Sequence, residues 1–206
     1  MIRAIVGAHE EYMEIYLASN NKHKRDEFVR LFPGHRILLP SEAGLEFDFE
    51  EDKKSFLSNA MGKAYALFRQ VRSPVLADDS GLCVAALGGQ PGIISHRFGA
   101  ENGKLLAPKA RNAYLLSCME GVEDREAYFA CSLVFLLEGV RFFAVQETVN
   151  GLITEAPRGS NGFGYDPVFL IPEKGKTIAE LPDVEKDRLS HRGRASRRML
   201  SLMQTL

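Results

Sequence analysis

The chain holds only three cysteines, Cys83, Cys118 and Cys131, and no two of them form a CxxC pair. An odd, scattered set suits no disulfide framework, so the three read as reduced core residues of a cytosolic protein. No apolar run nears the roughly 20 residues that a membrane span needs. The opening "MIRAIVGAHEEYM" turns acidic too soon for a signal peptide. Neither charge is in excess: 26 Lys and Arg face 27 Asp and Glu. That excludes a whole-protein field for nucleic acid or an anionic membrane. An anionic ligand must therefore be held by a local cluster. Internal repeats, low-complexity tracts and long linkers are missing too, and so is the Gly-x4-Gly-Lys pattern of a P-loop.

What is present suits a globular α/β protein. The 206 residues are 45% hydrophobic, enough for one domain or for two small lobes around one cleft. "EIYLAS" (14–19) and "HRILLP" (35–40) read as strands, and "PVLAD" (74–78) as a third that ends at the acids. Phe28, Leu31 and Phe32 recur at helical spacing in 21–32, as do Phe56, Ala60, Ala64, Leu67 and Val71 in 54–71. Strand, helix, strand, helix, strand predicts crossover connections. A helix is expected over 104–119, disturbed near Pro108. Residues 127–153 read as two long strands turning at Glu138-Gly139. A loop over 157–169 feeds a last strand. The C-terminus reads as a helix with Ala195, Met199, Leu202 and Leu206 inward.

Five stretches carry candidate chemistry, and each also has a plain structural reading. "ASNNKHK" sits at a strand-to-helix junction, where free N–H groups favour an anion. Ser19 and Asn21 can donate there and Lys24 can reach a phosphate, although cap residues and surface lysines look the same. "FDFEEDKKSF" offers carboxylates that Mg²⁺ could use, or a solvated helix start. "LADDSG" places Asp78 and Asp79 beside Ser80, as a metal–phosphate site or a turn. "GSNGFGYDP" combines glycines with Phe163, Tyr165 and Asp166, able to stack on and hydrogen-bond a base, or to form a long hairpin loop. "EKDRLSHRGRASRR" is basic. It could bind nucleic acid, or it could aim a helix-start "SHR" at one ligand.

In this order, the strings "ASNNKHK", "SFLSNAMGKA", "LADDSGLCVAALGGQPGIISHRF", "GFGYDPVF" and "EKDRLSHRGRA" resemble the Ham1-like inosine triphosphate pyrophosphatases. The similarity runs from about Met13 to the C-terminus. Residues 1–12 fall outside it, either as an N-terminal extension or as residues ahead of a natural start at Met13. The resemblance implies one two-lobed domain over 13–206, with an elongated mixed β-sheet bent around a central cleft and flanked by helices. It implies a cytoplasmic, Mg²⁺-dependent homodimer that hydrolyses ITP, dITP and XTP to the monophosphate and pyrophosphate. Carried over residue by residue, Ser19, Asn21 and Lys24 match the phosphate loop. Glu51 matches the metal-binding acid and Lys63 the helix lysine. Asp78 and Asp79 match the paired acids, both candidates for the catalytic proton acceptor, with Asp79 favoured and also a metal ligand, and Ser80 matches a substrate contact. Phe163, Gly164, Tyr165 and Asp166 match the base pocket, and Lys186, His191 and Arg192 its far wall. Asn20 departs from the usual Gly, His96 from the usual small residue, and 99–112 fits loosely.

Two other readings stand beside this one. A Maf-like pyrophosphatase acting on pyrimidine or modified nucleotides shares the phosphate loop but not the motifs after residue 76. A non-catalytic nucleotide or RNA binder would use the basic C-terminal helix, yet would gain nothing from acids in its cleft.

Overall fold

Strand β1 (Glu14–Leu17) sends Ile15 and Leu17 into the core, and the chain then turns into helix α1 (Lys22–Leu31). Asn21 starts that helix, its side chain accepting the N–H groups of His23 and Lys24, which satisfies two donors that a helix N-terminus leaves unpaired. Strand β2 (Arg36–Leu38), helix α2 (Phe56–Val71) and strand β3 (Val75–Val84) follow. The computed structural model describes residues 12–52 and 54–206. The expected extension at 1–12 therefore lies outside the described residues apart from Tyr12.

Helix α3 (Pro108–Cys118) leads into a long hairpin, β4 (Glu126–Glu138) and β5 (Arg141–Ile153). Short strands β6 (Phe169–Ile171) and β7 (Lys176–Thr177) precede helices α4 (Asp183–Leu189) and α5 (His191–Met203). One seven-stranded sheet results, in the order β2-β1-β3-β4-β5-β6-β7. β2, β1 and β3 run parallel, and the rest pair antiparallel. The predicted mixed sheet flanked by helices is the one observed.

The cleft follows from unequal strand lengths. β1 pairs with β3 only at Tyr16–Val75 and Leu17–Leu76, while β3 pairs with β4 along its whole length, from Val75–Leu136 to Val84–Ala127. Beyond Leu76 the edge of β3 loses its strand partner. Further on, the Gly-rich segment covers that edge, with Cys83 bridging Pro91. The gap between lies at the carboxyl end of parallel strands, where open α/β sheets place ligands.

Three apolar clusters hold the frame. One packs α1 and α5 on a sheet face through Phe28, Leu76 and Met199. A second packs α2 on the opposite face through Ala60, Ala64 and Ala77. A third surrounds the far end of β3 and β4, with Leu82, Leu115 of α3 and Phe169. Each large side chain fully buried this way contributes about 1.5–3 kcal/mol.

Four expectations change. β3 does not end at the acids but continues to Val84, because the ladder with β4 outweighs the turn-like composition of Asp-Asp-Ser-Gly. The helix expected from 104 starts at Pro108, where a missing N–H costs nothing. Leu206 is exposed, and Met203 takes the inward place. A separate helix, α4, precedes the last one. Ser190 ends α4 and caps α5, accepting the N–H of Gly193 at 3.1 Å. The two helices meet so closely that a Cβ on Gly193 would overlap the Asp187 carbonyl.

Candidate active site

A cavity of about 740 Å³ opens along the gap in the sheet. Its walls come from the Ser19–Lys24 turn, the 47–51 segment, β3, the 93–97 segment, the 162–166 loop and the start of α5. These are the five stretches singled out by sequence together with the 93–97 segment, brought together from both ends of the chain.

Asp78 and Asp79 are neighbours in mid-strand, so their side chains leave opposite faces of the sheet. This corrects the expectation of two acids together at a strand end, either of which could reach the reacting water: of the two, Asp79 lines the cavity and Asp78 does not. Asp78 faces α1 and α5. It accepts from Lys24 Nζ at 2.9 Å, from Arg192 Nη2 at 3.1 Å and from Ser80 Oγ at 2.8 Å. Its side chain is fully buried and does not line the cavity. Burial opposes its charge, but Lys24 and Arg192 outweigh that and hold the carboxyl well below the usual range.

Asp79 faces α2 and does line the cavity. Its Oδ2 accepts from Asn59 Nδ2 at 2.9 Å. Its Oδ1 lies 3.5 Å from Lys63 Nζ, and the same ammonium meets Glu51 Oε1 at 2.7 Å. Burial raises the Asp79 pKa, partly opposed by Lys63. Glu51 and Asp79 thus flank one lysine at the cavity's edge. Asn59 went unread in the sequence, although it lies one helical turn before Lys63.

A second group lies behind the base loop. Glu27, on the inner face of α1, binds Lys186 at 2.5 Å and Arg192 at 2.6 Å. Lys186 also reaches Asp166 Oδ2 at 2.7 Å, and the same oxygen accepts the Phe163 N–H at 2.8 Å. Burial and the Glu27 charge raise the Asp166 pKa, offset in part by Lys186. Lys186 does not line the cavity as the expected far wall. It sits with its ammonium 5.0 Å from the centre of the Phe163 ring. Glu27 was missed in the sequence, where its spacing from Lys24, Phe28 and Leu31 already places it on the buried side of α1.

Gly164, Tyr165, His191 and Arg192 also line the cavity. Tyr165 is buried, its hydroxyl donating to the Ser95 carbonyl at 2.9 Å. Gly164 is held by Asn112 of α3, which donates to its carbonyl at 3.1 Å. His191 stacks on Phe129 at 4.6 Å, and burial, aided by Arg192, pushes it well below the usual imidazole range. It is neutral at pH 7, with its buried Nδ1 unpaired among the described residues. Asn20, the departure in the phosphate loop, donates to the Phe47 carbonyl at 2.6 Å and ties that loop to the acidic segment. The His96 carbonyl accepts from Arg111.

The ion pairs fall into two groups: Glu27, Asp78 and Asp166 balance Lys24, Lys186 and Arg192, and a separate second group holds Glu51 and Asp79 on Lys63. The surplus of one carboxylate over cations therefore lies with Glu51 and Asp79, which share Lys63. A hard divalent cation suits this donor set, since Mg²⁺ takes one or two protein carboxylates and fills its other positions with water and phosphate.

A model of the Ham1 family matches residues 15–202. This chain belongs to the Ham1 family. It is 54% identical to the dITP/XTP pyrophosphatase of Treponema denticola over 183 residues, covering 89% of this chain and 94% of that one. With the dITP/XTP pyrophosphatase of Treponema pallidum strain Nichols it shares 48% identity over 196 residues, 94% of this chain and 72% of the relative. Among solved structures, a HAM1 protein from Coxiella burnetii superposes with a TM-score of 0.83 at 34% identity, covering 94% of this chain and all of that one. The Staphylococcus aureus Ham1 protein gives 0.77 at 38%, covering 93% and 96%. The Ham1 fold is thus the scaffold on which this cavity is built.

Proposed function

We propose that the protein hydrolyses deaminated purine nucleoside triphosphates, ITP, dITP and XTP, to the monophosphate and pyrophosphate, with Mg²⁺ as cofactor. The observation that carries this is a single cavity with two kinds of end. Glu51, Lys63 and Asp79 stand on one side beside the Ser19–Lys24 turn, and the Phe163–Asp166 loop stands on the other. The names of the relatives support the same substrates.

Glu51 and Asp79 would hold the metal, which when bound supplies charge neutralisation and Lewis acidity at the phosphates. Ser19, Asn21 and Lys24 receive the triphosphate at the start of α1. Asn59 fixes one oxygen of Asp79, leaving Oδ1 to orient a water toward the α-phosphorus and take its proton. The bond from that phosphorus to the bridging oxygen breaks, and pyrophosphate leaves with the electron pair. Lys24 and Lys63 stabilise the charge on the tail. Asp78 acts from beneath as a positioning residue that aims Lys24 and Arg192. Ser80, beside it, faces the nucleotide.

The base stacks on Phe163, with Tyr165 and Asp166 shaping its pocket. Neutral His191 and cationic Arg192 donate to the 6-oxo group of hypoxanthine or xanthine, and adenine offers an amine there instead. The domain runs from 13 to 206 and works as a cytoplasmic homodimer, as the family resemblance implies, and sedimentation of the purified chain checks the dimer. Incubation with ITP, XTP, GTP, ATP and UTP, with and without Mg²⁺, tests the reaction. Pyrophosphate from ITP and XTP only when Mg²⁺ is present supports it. Orthophosphate, preference for UTP, or no turnover refutes it.

A further inference from the structure

His23 belongs to none of the roles above, yet its ring lies across the cleft against Phe163. The ring centres are 5.5 Å apart and the planes 18° apart, a near-parallel stack. His23 stands in the first turn of α1, one residue before Lys24, and Phe163 stands in the loop on the other side of the cavity. Both line the same space.

Three side chains lie over the Phe163 ring: His23, Lys186 at 5.0 Å and Arg192 at 5.5 Å. Two of them are held by buried ion pairs. Lys186 is fixed by Glu27 and Asp166, and Arg192 by Glu27 and Asp78, all of them buried. The third is different. His23 is exposed, and among the described residues its ring forms no hydrogen bond or ion pair. Of the three covers on Phe163, it is the one a ligand can shift at the cost of a side-chain rotation.

We propose that His23 is the second stacking wall of the base site, so that a purine enters between its imidazole and the Phe163 ring. This rests on the reading that a nucleoside triphosphate occupies the cavity with its base on Phe163. An inserted base in contact with both rings separates them to about 7 Å, two aromatic contact distances of about 3.5 Å. The observed 5.5 Å therefore widens by about 1.5 Å, within reach of an exposed side chain. The position beside Lys24 has a purpose on this view. One helical turn then delivers a phosphate contact and a base contact together, and fixes the distance between them.

The test compares wild type, His23→Ala and His23→Phe as full-length chains. It measures KM for ITP and XTP, inhibition by IMP, and inhibition by pyrophosphate. Loss of one stacking face should raise both KM values and the IMP inhibition constant on the order of 10-fold. His23→Phe should restore them, because the ring and not its nitrogens supplies the contact. The pyrophosphate inhibition constant should stay put, since that ligand has no base. Unchanged KM and IMP values in His23→Ala overturn the proposal. A lower KM does so too, because His23 would then be a cover competing with the base. An equal loss for pyrophosphate overturns it by assigning the effect to the phosphate loop. Failure of the underlying function looks different: the wild type itself would release no pyrophosphate from ITP.

Discussion

Replacing Glu27 by Gln removes one negative charge from between two buried cations and changes little else in shape. Glu27 is about 5% exposed and touches both Lys186 and Arg192. Burial alone would raise its pKa, but Arg192 and Lys186 win and hold it at about 2 against an ordinary 4.5. A carboxylate depressed in the folded state stabilises the protein above its unfolded pKa and loses that contribution as pH falls toward the folded value. A gap of about 2.5 units corresponds to about 3 kcal/mol at pH 7. At pH 3.5 the same linkage leaves about 2 kcal/mol. Urea denaturation of wild type and Glu27→Gln at pH 7 and near pH 3.5 measures both. The variant should be less stable by about 3 kcal/mol at neutral pH, in line with the cost of leaving buried charges unpaired, and the difference should narrow in acid. A deficit below about 1 kcal/mol, or one that widens as pH falls, would refute the assignment of Glu27 as the anion that keeps these cations in place.

Other outcomes follow from the same geometry. Asp79→Asn should lower Mg²⁺-dependent pyrophosphate release from ITP by roughly 10²-fold or more, as expected when a positioned base is lost, and a near wild-type rate would remove Asp79 from the chemistry. Gly162→Ala places a Cβ on the Asp166 carboxylate and 2.8 Å from Lys186 Nζ, at a φ of +73°. It should cost about 1–3 kcal/mol of stability and raise KM for ITP more than it weakens inhibition by pyrophosphate. Equal effects on both ligands would show that the loop does not serve the base.

Much of this was legible in the residues. Apolar spacing placed α1, α2 and the β4–β5 hairpin, and the motif order gathered the five stretches that line the cavity. Polar partnership was harder to read. "LADDSG" looks like a strand ending in a turn, because nothing local reveals a partner strand that runs past it in full register. Once the strand continues, period-two geometry sends the acids to opposite faces, where each meets its own cations. Glu27 was hidden for a related reason. Spacing puts it on the buried side of α1, but what it meets there is unreadable, because the cations that face it lie more than 150 positions later. Asn59 and Asn112 carry no local signal at all, since an amide on a helix gains meaning only from the carboxylate or carbonyl it meets.

The two adjacent acids of β3 also bear on how the sheet finds its frame. A slip of that strand by one residue would put Asp79 in the place of Asp78 and Ser80 in the place of Asp79, or Asp78 in the place of Asp79 and Ala77 in the place of Asp78. In the first case Lys63 would face a hydroxyl, and in the second Lys24 and Arg192 would face a methyl group. Leu76, Leu82 and Val84 oppose the same slip, because it would carry each out of its cluster. The strand that bears the chemistry is kept in step by its carboxylates and its hydrocarbons together.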